Sequence, residues 1–173
     1  MQTSTTYPIG KFTRPESLTA EQRAACIETI VAFPDELAAV LKASKPGDFL
    51  KTYREGGWNV LQIVHHCADS HMNAFVRFKL ALTEDNPTIT GYHQDAWANL
   101  ADVLEADVYS SVLILMGLHK RWATLLLSLT DAQWQRKYFH PENQHSWTLD
   151  QALAQYDWHC RHHLEHVKIA VAK

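Results

Sequence analysis

Apolar residues recur at three- and four-residue intervals along four stretches of the chain, with polar residues between them, the period of helices that bury one side. The first opens at Thr19-Ala20-Glu21-Gln22, a capping-box pattern, and runs to about residue 42, with Pro34 expected to kink or divide it. The second opens at the similar Asn59-Val60-Leu61-Gln62 and continues to about residue 82. The third covers roughly residues 110–129, with Val112, Leu115, Met116, His119, Trp122, Ala123 and Leu126 at helical spacing. Another box, Thr130-Asp131-Ala132-Gln133, opens a short turn of helix. The last helix is capped at Thr148-Leu149-Asp150-Gln151 and reaches about residue 170. No stretch alternates with a period of two over a useful length, so no strand is expected.

The segments between these helices are of different kinds. Residues 1–17 hold two prolines and little periodicity and are expected to form an arm across the surface. Residues 44–57 carry Pro46, Gly47, Gly56 and Gly57 and read as a loop. Periodicity fails from 85 to 107, a length of loop that is usually functional or packed under its own aromatics, here Tyr92 and Trp97. Residues 135–147 read as a polar loop. Four long amphipathic helices with such connections predict an all-α, four-helix bundle, formed as one domain over residues 1–173.

Composition narrows the function classes. Hydrophobic residues make up 46% of the chain and charged residues 20%, a balance that permits a packed core. A net charge of −3 leaves no basic footprint for nucleic acid. No apolar run approaches the roughly 20 residues of a membrane helix, and the opening residues have neither the basic nor the apolar region of a secretory signal. The three cysteines, Cys26, Cys67 and Cys160, are odd in number and far apart, which fits reduced thiols and a cytoplasmic location. Cys160 reads as a small core residue.

The candidate chemistry lies in the last helix, where His159, His162, His163 and His166 crowd into eight residues. Leu149, Leu153, Tyr156, Cys160 and Val167 fall close to one line; His163 lies roughly 40° from its centre and His159 roughly 80°. The two stand four residues apart on the inward side and can grip one metal ion. His162 points roughly 140° away, and at least one of His162 and His166 is expected in solvent. Two histidines are not a site, so a third ligand must come from elsewhere. His119 reads as a satisfied core residue. In the second helix Val60, Val64, Cys67, Phe75 and Phe78 form the tightest stripe; by periodicity His71 ranks first as an inward residue, with His65 and His66 level behind it.

The motifs Tyr7-Pro8-Ile9-Gly10, Tyr53-Arg54-Glu55-Gly56-Gly57-Trp58, Val64-His65-His66-Cys67-Ala68-Asp69-Ser70-His71, Leu118-His119-Lys120-Arg121-Trp122, His140-Pro141-Glu142 and Trp158-His159 with His162-His163 occur in order along nearly the whole chain. In this the chain resembles the YfiT-like branch of the DinB superfamily. The resemblance implies a bundle that holds one divalent metal ion per chain through three histidines, corresponding here to His66, His159 and His163, and a homodimeric assembly. It thereby selects His66 over the periodicity ranking.

Three imidazoles leave an ion with an open position, as catalytic sites do. Zinc suits them first and nickel is acceptable. With water there, the expected activity on a small-molecule substrate is hydrolysis. With a low-molecular-weight thiol there, it is S-transfer of the bacillithiol or mycothiol type, which the resemblance also implies. A third reading is a metal-binding protein without turnover, favoured if His162, Cys160 or Asp69 closes the site. Asp69, three residues beyond His66, could orient a ligand imidazole. Arg54 and Arg77 could hold an anionic group, although an ion pair is the commoner role for such residues.

Overall fold

The computed structural model describes residues 5–142 and 144–173. Its long helices begin where side chains can satisfy the first free amides. Helix α1 (Ala20–Ala43) starts from Thr19, whose hydroxyl accepts from the Gln22 amide at 3.3 Å while the Gln22 side chain accepts from the Thr19 amide at 2.8 Å. The same reciprocal box opens α2 (Val60–Thr83) at Asn59 and Gln62. Helices α3 (Gln94–Trp97) and α4 (Ala101–Glu105) are short, and α5 (Val108–Leu127) is capped by Asp107. Helix α6 (Asp131–Trp134) is boxed by Thr130 and Gln133, and α7 (Leu149–Val171) by Thr148 and Gln151.

The four long helices form the bundle. Helix α1 packs on α7 and α5, and α2 packs on the same two, so the order around the bundle is α1, α7, α2, α5. Helices α2 and α7 are therefore neighbours, and histidines on their facing sides can meet. One continuous core of Ile30, Phe33, Leu37, Phe78, Leu115, Trp122, Leu126 and Leu153, among others, fills the space between the helices.

Three expectations need correction. Pro34 neither divides nor ends α1, which runs unbroken over 24 residues. Proline removes the amide that would bond the carbonyl of Ile30. That carbonyl instead accepts from a side chain of α5, as described below. The 85–107 segment is not a bare loop but carries α3 and α4. Residues 135–147 are not a polar loop: β1 (Lys137–His140) and β2 (His145–Thr148) pair antiparallel, with Tyr138 opposite Trp147. Strands of four residues are too short to show a period. This hairpin holds because Tyr138 and Trp147 join the core, and Phe139 exchanges backbone hydrogen bonds with Pro87 and Ile89. Just before β1, the Arg136 guanidinium donates to the carbonyls of Ala81 at 2.8 Å and of Glu84, placing a cation at the C-terminal end of α2.

The first turn of α7 is fixed by charge. Asp150, fully buried, takes two hydrogen bonds from Arg23 of α1, at 2.6 and 3.0 Å, and one from Gln135 at 3.0 Å. Arg23 also meets Asp131 of α6 at 2.6 Å. A bidentate pair of this kind sets the register of α1 against α7. From the described part of the N-terminal arm, Tyr7 packs near His162 and Phe12 near Trp158, whose Nε1 donates to the Gly10 carbonyl at 3.0 Å. Residues 1–4 of the expected arm lie outside the described residues.

Candidate metal centre

Helix α2 is buried nearly all round, so His65, His66 and His71 are all inside and each faces a different neighbour. His65 turns towards α5, with Nδ1 2.7 Å from the Ser111 hydroxyl. His66 turns towards α7, and His71 towards the bundle centre. Across from His66 stand His159 and His163, one helical turn apart as their spacing requires.

One ring nitrogen from each of His66, His159 and His163 lies within 4.8 Å of the others. The ring centroids are 5.3 Å apart for His66 and His159, 5.0 Å for His66 and His163, and 4.4 Å for His159 and His163. The Nε2 atoms of His66 and His159 approach to 3.2 Å. Two nitrogens held by one tetrahedral ion at 2.0–2.1 Å stand about 3.4 Å apart, so the pair is spaced as two ligands of a single ion would be. The buried Nδ1 of His163 has no hydrogen-bond partner among the described residues.

Electrostatics favour the neutral form that a ligand needs. Burial brings His66 down to about 4. His159 and His163 lie well below the usual imidazole value, first through burial and then through the histidines around them. No cysteine or carboxylate completes this group of three among the described residues. Cys67 and Cys160 are buried, and burial raises both thiols. Among the described residues Asp69 makes no hydrogen bond to an imidazole; its carboxyl is raised to about 6 by burial and by the negative charge of Asp102 on α4. The group nearest Nδ1 of His159 is His71, whose Nε2 lies 3.0 Å away.

The triad forms the floor between two lobes of a cleft, both bordered by His66, Gln94, Asp95, Gln155 and His159. One lobe, of 460 Å³, is walled by Ser70, Arg77, Tyr92, His140 and Glu142. The other, of 430 Å³, is walled by Tyr7, Tyr53, Arg54, Trp58 and His162. Tyr92 leans on Trp97 with ring centroids 4.4 Å apart, and with His93, Gln94 and Asp95 it brings the 85–107 segment into the wall of the first lobe. Neither Arg54 nor Arg77 forms an ion pair among the described residues; both face the cleft.

The outward pair departs from expectation. His162 and His166 are both buried, because the arm and the 53–58 segment lie over that side of α7. Trp158 stacks on His162 at 4.2 Å and Tyr53 stacks on His166 at 3.8 Å. A helical wheel places residues against the helix's own apolar stripe and carries no information about segments that fold over its far side. Ring nitrogens of His162, His163 and His166 also lie within 4.8 Å of one another. That second group shares His163 with the first, and aromatic rings lie flat against its other two members.

A family model described as the DinB superfamily matches residues 29–167. YfiT of Bacillus subtilis, named as a candidate metal-dependent hydrolase, is 42% identical over 161 residues, covering 93% of this chain and 90% of YfiT. A relative from Bacillus mycoides with the same description is 45% identical, covering 93% and 92%. One from Halalkalibacterium halodurans is 40% identical, covering 96% of each chain. The solved structure of B. subtilis YfiT, described as an unusual four-helix bundle, superposes with a TM-score of 0.93 at 41% identity, over 96% of this chain and 95% of that one. This chain belongs to the DinB superfamily.

Proposed function

We propose that the protein is a divalent-metal-dependent hydrolase in which His66, His159 and His163 hold the ion. The observation that carries this reading is the convergence of three neutral imidazoles on the floor of an open cleft, with no fourth protein ligand among the described residues. A closed set of ligands would have favoured a site without turnover. The names given to the relatives point the same way.

A divalent ion held by these three imidazoles, to which zinc is best matched, would supply Lewis acidity and lower the pKa of a bound water. The chain's own residues supply the rest. The two lobes give a substrate room on either side of the triad. Arg77 and Arg54 offer cationic donors at opposite ends, suited to an acidic or strongly polar substrate group. Tyr156 donates to the Ser70 carbonyl at 3.2 Å, and the two residues together line the first lobe. The carboxylates of Asp95 and Glu142 and the imidazole of His140 line the cleft and can take or return a proton.

The test is elemental analysis of untagged protein, wild type and His66→Ala, His159→Ala and His163→Ala, followed by hydrolysis of a panel of activated esters and amides. About one ion per chain, lost in each variant together with hydrolysis, supports the reading. Metal retained in one variant removes that ligand from the set. Turnover that instead requires an added thiol and an electrophile would make the protein an S-transferase.

A further inference from the structure

A line of hydrogen bonds runs from the metal centre through the bundle to the backbone of α1. The Nε2 of His71 lies 3.0 Å from Nδ1 of His159, and the Nδ1 of His71 lies 2.7 Å from Nε2 of His119. The Nδ1 of His119 lies 2.5 Å from the Ile30 carbonyl oxygen. His71 and His119 are almost entirely buried, at 0% and 1% exposure, among Phe33, Trp122 and Tyr156.

The direction of this line follows from its far end. A carbonyl can only accept, so His119 carries its proton on Nδ1. Each nitrogen–nitrogen contact has room for one proton. A neutral His119 therefore accepts at Nε2 from Nδ1–H of His71, and a neutral His71 accepts at Nε2 from Nδ1–H of His159. His159 is left with its lone pair on Nε2, the atom 3.2 Å from Nε2 of His66. The opposite direction would need an imidazolium at His119 in an apolar, aromatic setting, which burial disfavours. The anchor exists because Pro34, four residues after Ile30, has no amide to give that carbonyl. A helix with any other residue at 34 would bond this oxygen itself.

We infer that His71 and His119 are positioning residues: anchored on the carbonyl that Pro34 leaves free, they hold His159 as its Nδ1–H tautomer and aim its Nε2 lone pair at the metal. Partners of this kind fix the orientation of a ligand ring and typically contribute 10–100-fold to metal affinity. The inference rests on the proposed role of His159 as a ligand.

Two measurements test it. In metal-free protein, nitrogen-15 correlation spectra of the imidazoles should show His71, His119 and His159 all protonated on Nδ1; Nε2–H on His159 would overturn the inference. Zinc titration of folded variants should show affinity about 10–100-fold weaker for His119→Ala. It should be restored to within about threefold for His119→Gln, whose carboxamide can donate to Ile30 and accept from His71. Pro34→Ala, which adds a competing donor, should weaken zinc by less than His119→Ala. Unchanged zinc affinity in His119→Ala, or no recovery in a folded His119→Gln, would also sink it. Where His119→Ala does not fold, the spectra and His119→Gln still decide. If wild type binds no zinc while the tautomers are as described, the ligand reading fails and the positioning role with it. If zinc binds and His159 is protonated on Nε2, only the positioning role fails.

Discussion

Helix α7 presents two pairs of histidines with the same four-residue spacing and different surroundings. His159 and His163 face α2, where His66 meets them and a cleft opens above. His162 and His166 face the arm and the 53–58 segment: Tyr53 lies flat against His166, while Trp158, one turn earlier on α7 itself and bonded to the arm at Gly10, lies flat against His162. In the first pair His159 is directed by ring nitrogens of His66 and His71, whereas the second pair is covered by aromatic faces. Composition and spacing are the same, so the difference arises from what packs opposite. The proposed metal centre is the group to which another helix adds a histidine and over which a cleft opens.

The strongest way to break this comparison is to remove one histidine from each pair. His159→Ala should lower metal affinity by more than the roughly 100-fold that loss of a supporting partner costs, whereas His162→Ala should stay within about threefold by calorimetric titration. Equal losses would mean that the ion uses both faces.

Next in size is the cover. Trp158→Ala removes the ring stacked on His162 and the donor to Gly10, and should cost about 2 kcal/mol in chemical denaturation while leaving metal stoichiometry unchanged. It should also let the His162 imidazole, now held at about 4 chiefly by burial, titrate closer to its ordinary value by NMR.

Acid should act on both faces together. His66, His119 and His162 are all held at about 4, so between pH 6.5 and about 4 the unfolded chain takes up protons that the folded chain does not. Stability of the metal-free protein should fall as pH drops through that window, by up to about 1.4 kcal/mol per group for each pH unit, and be insensitive to these groups above it. A flat denaturation midpoint from pH 7 to pH 4.5 would contradict the burial of these rings.

The smallest effect sharpens the site itself. Arg77→Ala should raise KM several-fold for an anionic substrate and leave kcat nearly unchanged, because the arginine lines one lobe rather than the triad. Arg54→Ala tests the other lobe in the same way.

Much of the fold was legible in the chain. The boxes at Thr19, Asn59, Thr130 and Thr148 mark helix starts because their side chains act within four residues. The hairpin was not legible, since four-residue strands held by Tyr138 and Trp147 in a distant core leave no local period. His71 ranked first by periodicity because it is the most central of the α2 histidines, yet it belongs to the support of His159 and not to the triad. Periodicity measures depth, and depth does not distinguish a ligand from the residue that holds it.

Left to itself, the sequence determined four amphipathic helices, their caps, and the shared face of His159 and His163, all of which depend on interactions within a few residues. Tertiary structure decided the rest. Placing α2 beside α7 brought His66 to His159 and His163, and laying the arm and the 53–58 segment over α7 buried His162 and His166. Setting α5 against α1 at the height of Pro34 gave His119 a carbonyl to bond. Each of these depends on which surfaces meet across the bundle, a relation between residues as far apart as Ile30 and His119, and no local pattern in the chain encodes it.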